Sequence, residues 1–127
     1  MSALQDLRVL VVENDEMSAA LLQMQLVHSG ARVVGLAASV AEALRLLEQT
    51  TPDVALLDYR LARNETSEPV AAALGARKVP FVLATGMTAD QLPLAMQSGV
   101  LLVKPYLSAD LSRALVRAVG RSRADVT

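Results

Sequence analysis

Four short apolar runs in this 127-residue chain each end on polar residues that can handle phosphate or a metal ion. Glu13-Asn14-Asp15 follows Arg8–Val12, Asp58 follows Val54–Leu57, Thr85 follows Val79–Ala84, and Lys104 follows Val100–Val103. A carboxylate set beside other carboxylates makes a site for a hard divalent cation such as Mg²⁺, which prefers oxygen ligands. Two like charges about 5 Å apart repel by about 3 kcal/mol at an effective dielectric of about 20, and a cation relieves that repulsion. A nearby ammonium and hydroxyl then hold the oxygens of a transferred phosphoryl group, where the chemistry is mostly positioning and charge stabilisation. Asp58 is the candidate nucleophile, because a carboxylate can form an acyl phosphate.

Such residues converge only if the runs that precede them are parallel neighbours in one sheet, whose reactive cleft lies beyond the carboxyl ends of its strands. The hydrophobic pattern supports this. Short β-branched runs alternate with helical stripes, the signature of β-α repeats around a parallel sheet. The predicted strands are Arg8–Val12, Arg32–Leu36, Val54–Leu57, Val79–Ala84 and Val100–Val103. The first, third and fourth are nearly continuous apolar runs and are expected to be central. Helical stripes that should pack on the sheet are Met17, Ala20, Leu21, Met24 and Val27, then Val40, Ala43, Leu44 and Leu47, then Leu111, Ala114, Leu115 and Ala118. Ser39 with Glu42 and Thr88 with Gln91 read as capping boxes, Ser108 as a third N-cap, and Gly30 as the stop of the first helix. The polar stretch from Arg60 to Pro69 reads as a loop leading into a helix around Val70–Ala76.

Composition narrows the function classes. The length suits one domain, taken as residues 1–127, and 53% hydrophobic content suits a core covered by helices. Twelve Lys+Arg against 13 Asp+Glu leave a charge of −1, so no basic cluster marks a nucleic-acid partner. The absence of cysteine excludes thiolate sites, and the single histidine, His28, cannot build a His-based zinc site alone. His28 is expected to be partly exposed in the last turn of the first helix, without a phosphorelay role. Met1 to Leu7 does not read as a signal peptide and no stretch approaches a membrane span, so the expected setting is cytoplasmic, without a membrane partner.

Taken in order, Val-Val-Glu13-Asn14, Pro-Asp-Val-Ala-Leu-Leu-Asp58, Ala84-Thr85-Gly86 and Val103-Lys104-Pro105 resemble the receiver domains of two-component response regulators. The resemblance spans Leu7 to about Arg121. Two stretches, Glu65 to Val70 and Pro80 to Gly86, are further similar to a receiver branch common in alphaproteobacteria, many of whose members are single-domain. The resemblance implies a flavodoxin-like (βα)5 doubly wound α/β fold with strand order 2-1-3-4-5. It implies that Asp58 accepts phosphate from a histidine kinase or phosphotransfer protein, while Thr85 and Lys104 bind phosphoryl oxygens. It assigns Mg²⁺ to Glu13, Asn14, Asp58 and the backbone carbonyl of Arg60, and it makes the Lys104-Pro105 bond cis. The chain is then a stand-alone phosphoacceptor rather than an enzyme, with at most self-phosphotransfer and autodephosphorylation. Its surface of fourth helix, fifth strand and fifth helix would meet a downstream protein or a second copy.

The chain departs from the family pattern at two places. Asn14 stands where the family has a second acidic residue, which weakens Mg²⁺ binding by removing a unit of charge. Asn14 is equally suited to capping the first helix, and Asp15, one residue late, should point elsewhere. Leu101 replaces the aromatic that usually couples the hydroxyl to the outer face, and Tyr106 is left to serve a partner surface. These departures support the alternative of a phosphorylation-independent pseudo-receiver that acts as an interaction module. A phosphohydrolase of the aspartate-nucleophile type needs a second aspartate where Arg60 stands. A flavin module is disfavoured, because only three aromatics are available to stack on its ring and no glycine-rich loop follows the first strand.

Overall fold

The computed structural model describes residues 4–126, with side chains to residue 121. Met1 to Ala3 of the N-terminal segment considered above lie outside the described residues. Five parallel strands form one sheet in the order β2-β1-β3-β4-β5: β1 Arg8–Val12, β2 Arg32–Ala37, β3 Val54–Asp58, β4 Phe81–Thr85 and β5 Val100–Val103. The expected α/β flavodoxin-like order is therefore found, and the three most apolar runs are its central strands. Residues on alternate strand positions feed two cores. Val9, Val11, Leu56 and Val82 meet Leu26 and Leu115 on one face, while Leu10, Val12, Leu57 and Leu83 meet Leu47 and Leu74 on the other. No helix among the described residues is long and apolar enough to cross a membrane.

Helices α1 (Glu16–His28), α2 (Val40–Gln49), α3 (Glu68–Ala76) and α4 (Ser108–Val126) cover the sheet. Asp15 caps α1 by accepting the Ser18 N–H at 3.1 Å, so neither Glu13 nor Asn14 has that task. Ser39 caps α2 as expected, accepting the Glu42 N–H at 3.2 Å, and Glu65 adds a contact from the Val40 N–H at 3.3 Å. Ser108 does not cap α4 through its hydroxyl. That group accepts from Gln25 Nε2 at 3.1 Å, and the Asp110 carboxylate takes the Leu107 N–H instead. Gly30, at φ +94°, ends α1 in the left-handed conformation that glycine tolerates without a Cβ penalty.

Two further expectations fail. The stripe Met17, Leu21, Met24 and Val27 faces solvent, with exposures of 82, 57, 69 and 56%, and Leu22 and Leu26 pack on the sheet in its place. At about 100° per residue, these two sets occupy opposite sides of one helix, so periodicity alone offers two apolar faces. The sheet selects the Leu22–Leu26 face. The fourth crossover is also not an α-helix, and four α-helices serve five strands. The Thr88–Gln91 pairing closes only a 3₁₀ turn, Ala89–Gln91, with a second at Leu94–Met96. Pro93 stands between them; it lacks the N–H that helix continuation needs, and its ring would strike the Ala89 carbonyl. Leu92, before it, is accordingly extended at φ −95° and ψ 145°.

Candidate functional site

Register brings the polar strand ends together. Val12 pairs with Leu57, so Glu13 leaves β1 beside Asp58, the last residue of β3. Asp58 in turn sits opposite Ala84, and Thr85 opposite Val103, which sets Lys104 one step past β5. The Lys104 N–H donates to the Thr85 carbonyl at 2.9 Å, and its ammonium reaches Asp58 Oδ2 at 3.2 Å. The Lys104-Pro105 bond that turns the chain here is cis.

Two carboxylates and one ammonium leave the centre short of positive charge. Glu13 is buried at 7% exposure, and its Oε2 has no hydrogen-bond partner. Burial first, then the close approach of Asp58, pushes the Glu13 carboxyl up to about 7, against a smaller opposing pull from Lys104. An unpartnered buried carboxyl oxygen costs free energy unless it is protonated or meets a cation. A recess of about 450 Å³ opens over these groups between α1 and the turn after β5, lined in part by Leu21, Leu22, Asp58, Lys104 and Tyr106. Tyr106 lines the recess with Glu13 and Asp58, and burial, then the charges of those two groups, hold its phenol above its ordinary range. Its half-buried side chain packs against the core and also lines a groove beside β5.

The remaining predicted residues are placed less closely. Thr85 is buried, and its Oγ1 accepts the Met87 N–H at 3.2 Å, which leaves its own proton free to donate. Asn14 is exposed and lines a second recess with Glu13 and Glu42; Glu13 lines both recesses, and Asp58 only the first. Arg60 is exposed, with its guanidinium 5.9 Å from the Tyr59 ring centre. The bridge of Arg60 to Thr66 is made by its neighbours, through Leu61 N–H to Glu65 and Ser67 N–H to the Tyr59 carbonyl. The Arg60 carbonyl is thus left out of that pairing. Among the described residues no three His, Cys, Asp or Glu side chains gather as a metal cluster. The two carboxylates still suit a hard cation by their oxygen chemistry, and the orphaned Glu13 oxygen is the donor left for it.

Sequence reasoning overlooked the inward role of Tyr106 and the exposed apolar face of α1 beside the recess. The aromatic after Lys104-Pro105 was a usable signal for the first. The second Leu pair of α1, at i and i+4, was the signal for the other.

No family model matches the chain. It is 30% identical over 119 residues to the transcriptional regulatory protein PdtaR of Mycobacterium tuberculosis, covering 91% of this chain and 58% of that one. The chain therefore spans little more than half the length of that curated relative. Among solved structures it is 37% identical to SdrG of Sphingomonas melonis, covering 94% of this chain and 98% of that one at a TM-score of 0.76. It is 28% identical to the signal receiver domain of a modulated diguanylate cyclase from Desulfovibrio desulfuricans, covering 94% and 99% at a TM-score of 0.82.

Proposed function

This chain belongs to the receiver domains of response regulators, and on that footing we propose that Asp58 is a phosphoacceptor supplied by a histidine kinase or a phosphotransfer protein. The observation that carries the reading is the Asp58 carboxylate at a strand end, 3.2 Å from the Lys104 ammonium and beside the orphaned Glu13 oxygen. An Asp58 oxygen attacks phosphorus, the P–N bond of the phosphohistidine breaks, and the imidazole nitrogen leaves with the bonding electron pair. Lys104 exchanges its hold on the carboxylate for the phosphoryl oxygens, and Thr85 donates its free proton to another. Mg²⁺ would be held by Glu13, Asp58 and the Arg60 carbonyl, and it supplies charge neutralisation on the phosphoryl oxygens. Asn14, turned to solvent, leaves that set one ligand short and the binding weak.

The exposed Met17–Leu21–Met24 face borders the recess and gives a donor an apolar seat next to Asp58. Beyond transfer to itself and loss of that phosphate by hydrolysis, the chain carries out no reaction, and output passes through contacts with a downstream protein or a second copy. Intact-mass spectrometry after incubation with a small phosphodonor, with and without Mg²⁺, tests this. One phosphoryl group that is absent in Asp58→Asn is the expected result. A folded protein that takes none, from that donor or from a histidine kinase, overturns it.

A second reading, the pseudo-receiver, is favoured by one observation: Asn14 stands outside the recess, so only two carboxylates meet there. It requires that Asp58→Ala leave partner binding unchanged and that millimolar Mg²⁺ leave the melting temperature unmoved.

A further inference from the structure

The strand order leaves β5 at one edge of the sheet. Strand β5 pairs only with β4, and in its register the groups of Val100 and Leu102 turn toward β4. The N–H and C=O of Leu101 and Val103 therefore face outward, and no other described residue bonds them. The strand is Val-Leu-Leu-Val, without a charge, a proline or a bulge. Natural sheets usually blunt such an edge. The opposite edge, β2, is treated that way: it begins with Arg32, and its pairing with β1 slips between Val9 and Leu10.

A groove of about 420 Å³ runs along the β5 edge, lined by Val100–Val103 and Tyr106 on the strand side and by Arg113, Ala114 and Arg117 of α4. Val103 is 53% exposed, and Leu94 of the second 3₁₀ turn is 85% exposed. Arg121 extends the arginine row by another helical turn and is also exposed. The one acidic group lining the groove, Asp110, is already held by Arg113 at 2.6 Å and by the Leu107 N–H at 2.9 Å. Arg117 and Arg121 have no ion pair with a described residue. The surface thus combines unpaired strand hydrogen bonds, an apolar floor and a positive wall.

We propose that this edge takes an extended acidic segment of a partner protein as a sixth strand, with main-chain bonds to Leu101 and Val103 and carboxylates on the arginine row. Strand addition of this kind draws affinity from the backbone and specificity from alternate side chains. A second copy is a poorer occupant. Antiparallel pairing of two β5 edges sets both α4 helices on one face, with arginine rows side by side, and like charges there disfavour the pair. The docking makes no contact with Asp58; it names the partner chemistry of the β5 and last-helix face that the receiver resemblance assigns to output, and it holds whether or not Asp58 is phosphorylated.

The probe is a fluorescein-labelled peptide of alternating glutamate and valine, with a lysine-valine peptide as control, followed by anisotropy against the full chain. Saturable binding of the acidic peptide alone is expected, with amide-exchange protection gained at Leu101 and Val103. Arg117→Glu with Arg121→Glu should weaken it by about tenfold or more. Val103→Pro should abolish it while the far-UV spectrum and melting temperature hold, since an outward-facing N–H at an edge is where proline is tolerated. Asp58→Asn should leave it unchanged. Absence of binding, equal binding of both peptides, or protection confined to other residues overturns the proposal. So does a sedimenting dimer that protects β5 in place of the peptide.

Discussion

Replacing Glu13 by glutamine isolates the charge problem at the heart of the recess. The carboxyl stands at about 7 in the folded chain against an ordinary 4.5, so the folded state holds the proton more tightly than the unfolded one. Stability from this source is fully present below pH 4.5 and is lost as pH rises through 7. A displacement of this size amounts to about 3 kcal/mol in all, most of which falls between pH 5 and 8. Glu13→Gln carries no titrating proton, so its unfolding free energy relative to the parent should rise by about that amount over the same span. At roughly 4 °C per kcal/mol, the parent should lose about 10 °C in melting temperature relative to the variant. Urea melts of both proteins in metal-free buffer at pH 5, 6, 7 and 8 make the measurement. Parallel stability profiles would refute the reasoning, because they would mean that Glu13 ionises in the folded chain as easily as in water. Adding Mg²⁺ at pH 8 should restore part of the loss in the parent and none in Glu13→Gln, because the cation needs the oxygen that the amide no longer offers as an anion.

Other substitutions address the placement of individual groups. Asn14→Asp should alter metal-free stability by no more than about 0.5 kcal/mol in urea melts, because Asn14 is exposed and outside the Asp58 recess. A loss several times larger would place its side chain among the carboxylates. The same variant should bind Mg²⁺ more tightly in a fluorescence or calorimetric titration if the phosphoacceptor reading holds. Gly99→Ala would drive a Cβ into the edge of the Phe81 ring, an overlap that should cost about 1–3 kcal/mol in a thermal melt. Ser67 is fully buried with an unpaired hydroxyl, so Ser67→Ala should be neutral or stabilising by up to about 1 kcal/mol, and a clear loss would reveal a partner for that oxygen.

The central strands and the convergence of Glu13, Asp58 and Lys104 were legible in the residues because buried parallel strands are written as local apolar runs, whereas the strand order came from the resemblance to receiver domains. A polar residue that ends such a run lies at the carboxyl edge of the sheet. The short crossover between β4 and β5 was legible only in part. Thr88 and Gln91 announce a helix start, but Pro93 lies too close behind for a helix to grow, and the two signals had to be weighed together.

By itself the sequence determined which residues end the strands, which strands are central, and that the chemistry open to this chain is that of a carboxylate with an ammonium and a hydroxyl. Those are consequences of local patterning and side-chain type. Only the tertiary structure decided which apolar face of α1 turns inward, because Leu22–Leu26 and Met17–Leu21–Met24 satisfy the helical period equally well. It also decided that Asp15 caps α1 while Asn14 turns to solvent, and that Tyr106 looks onto the acidic centre. Burial of Glu13 and the open β5 edge likewise arise from what neighbouring strands cover or leave bare, a property that no stretch of chain possesses alone.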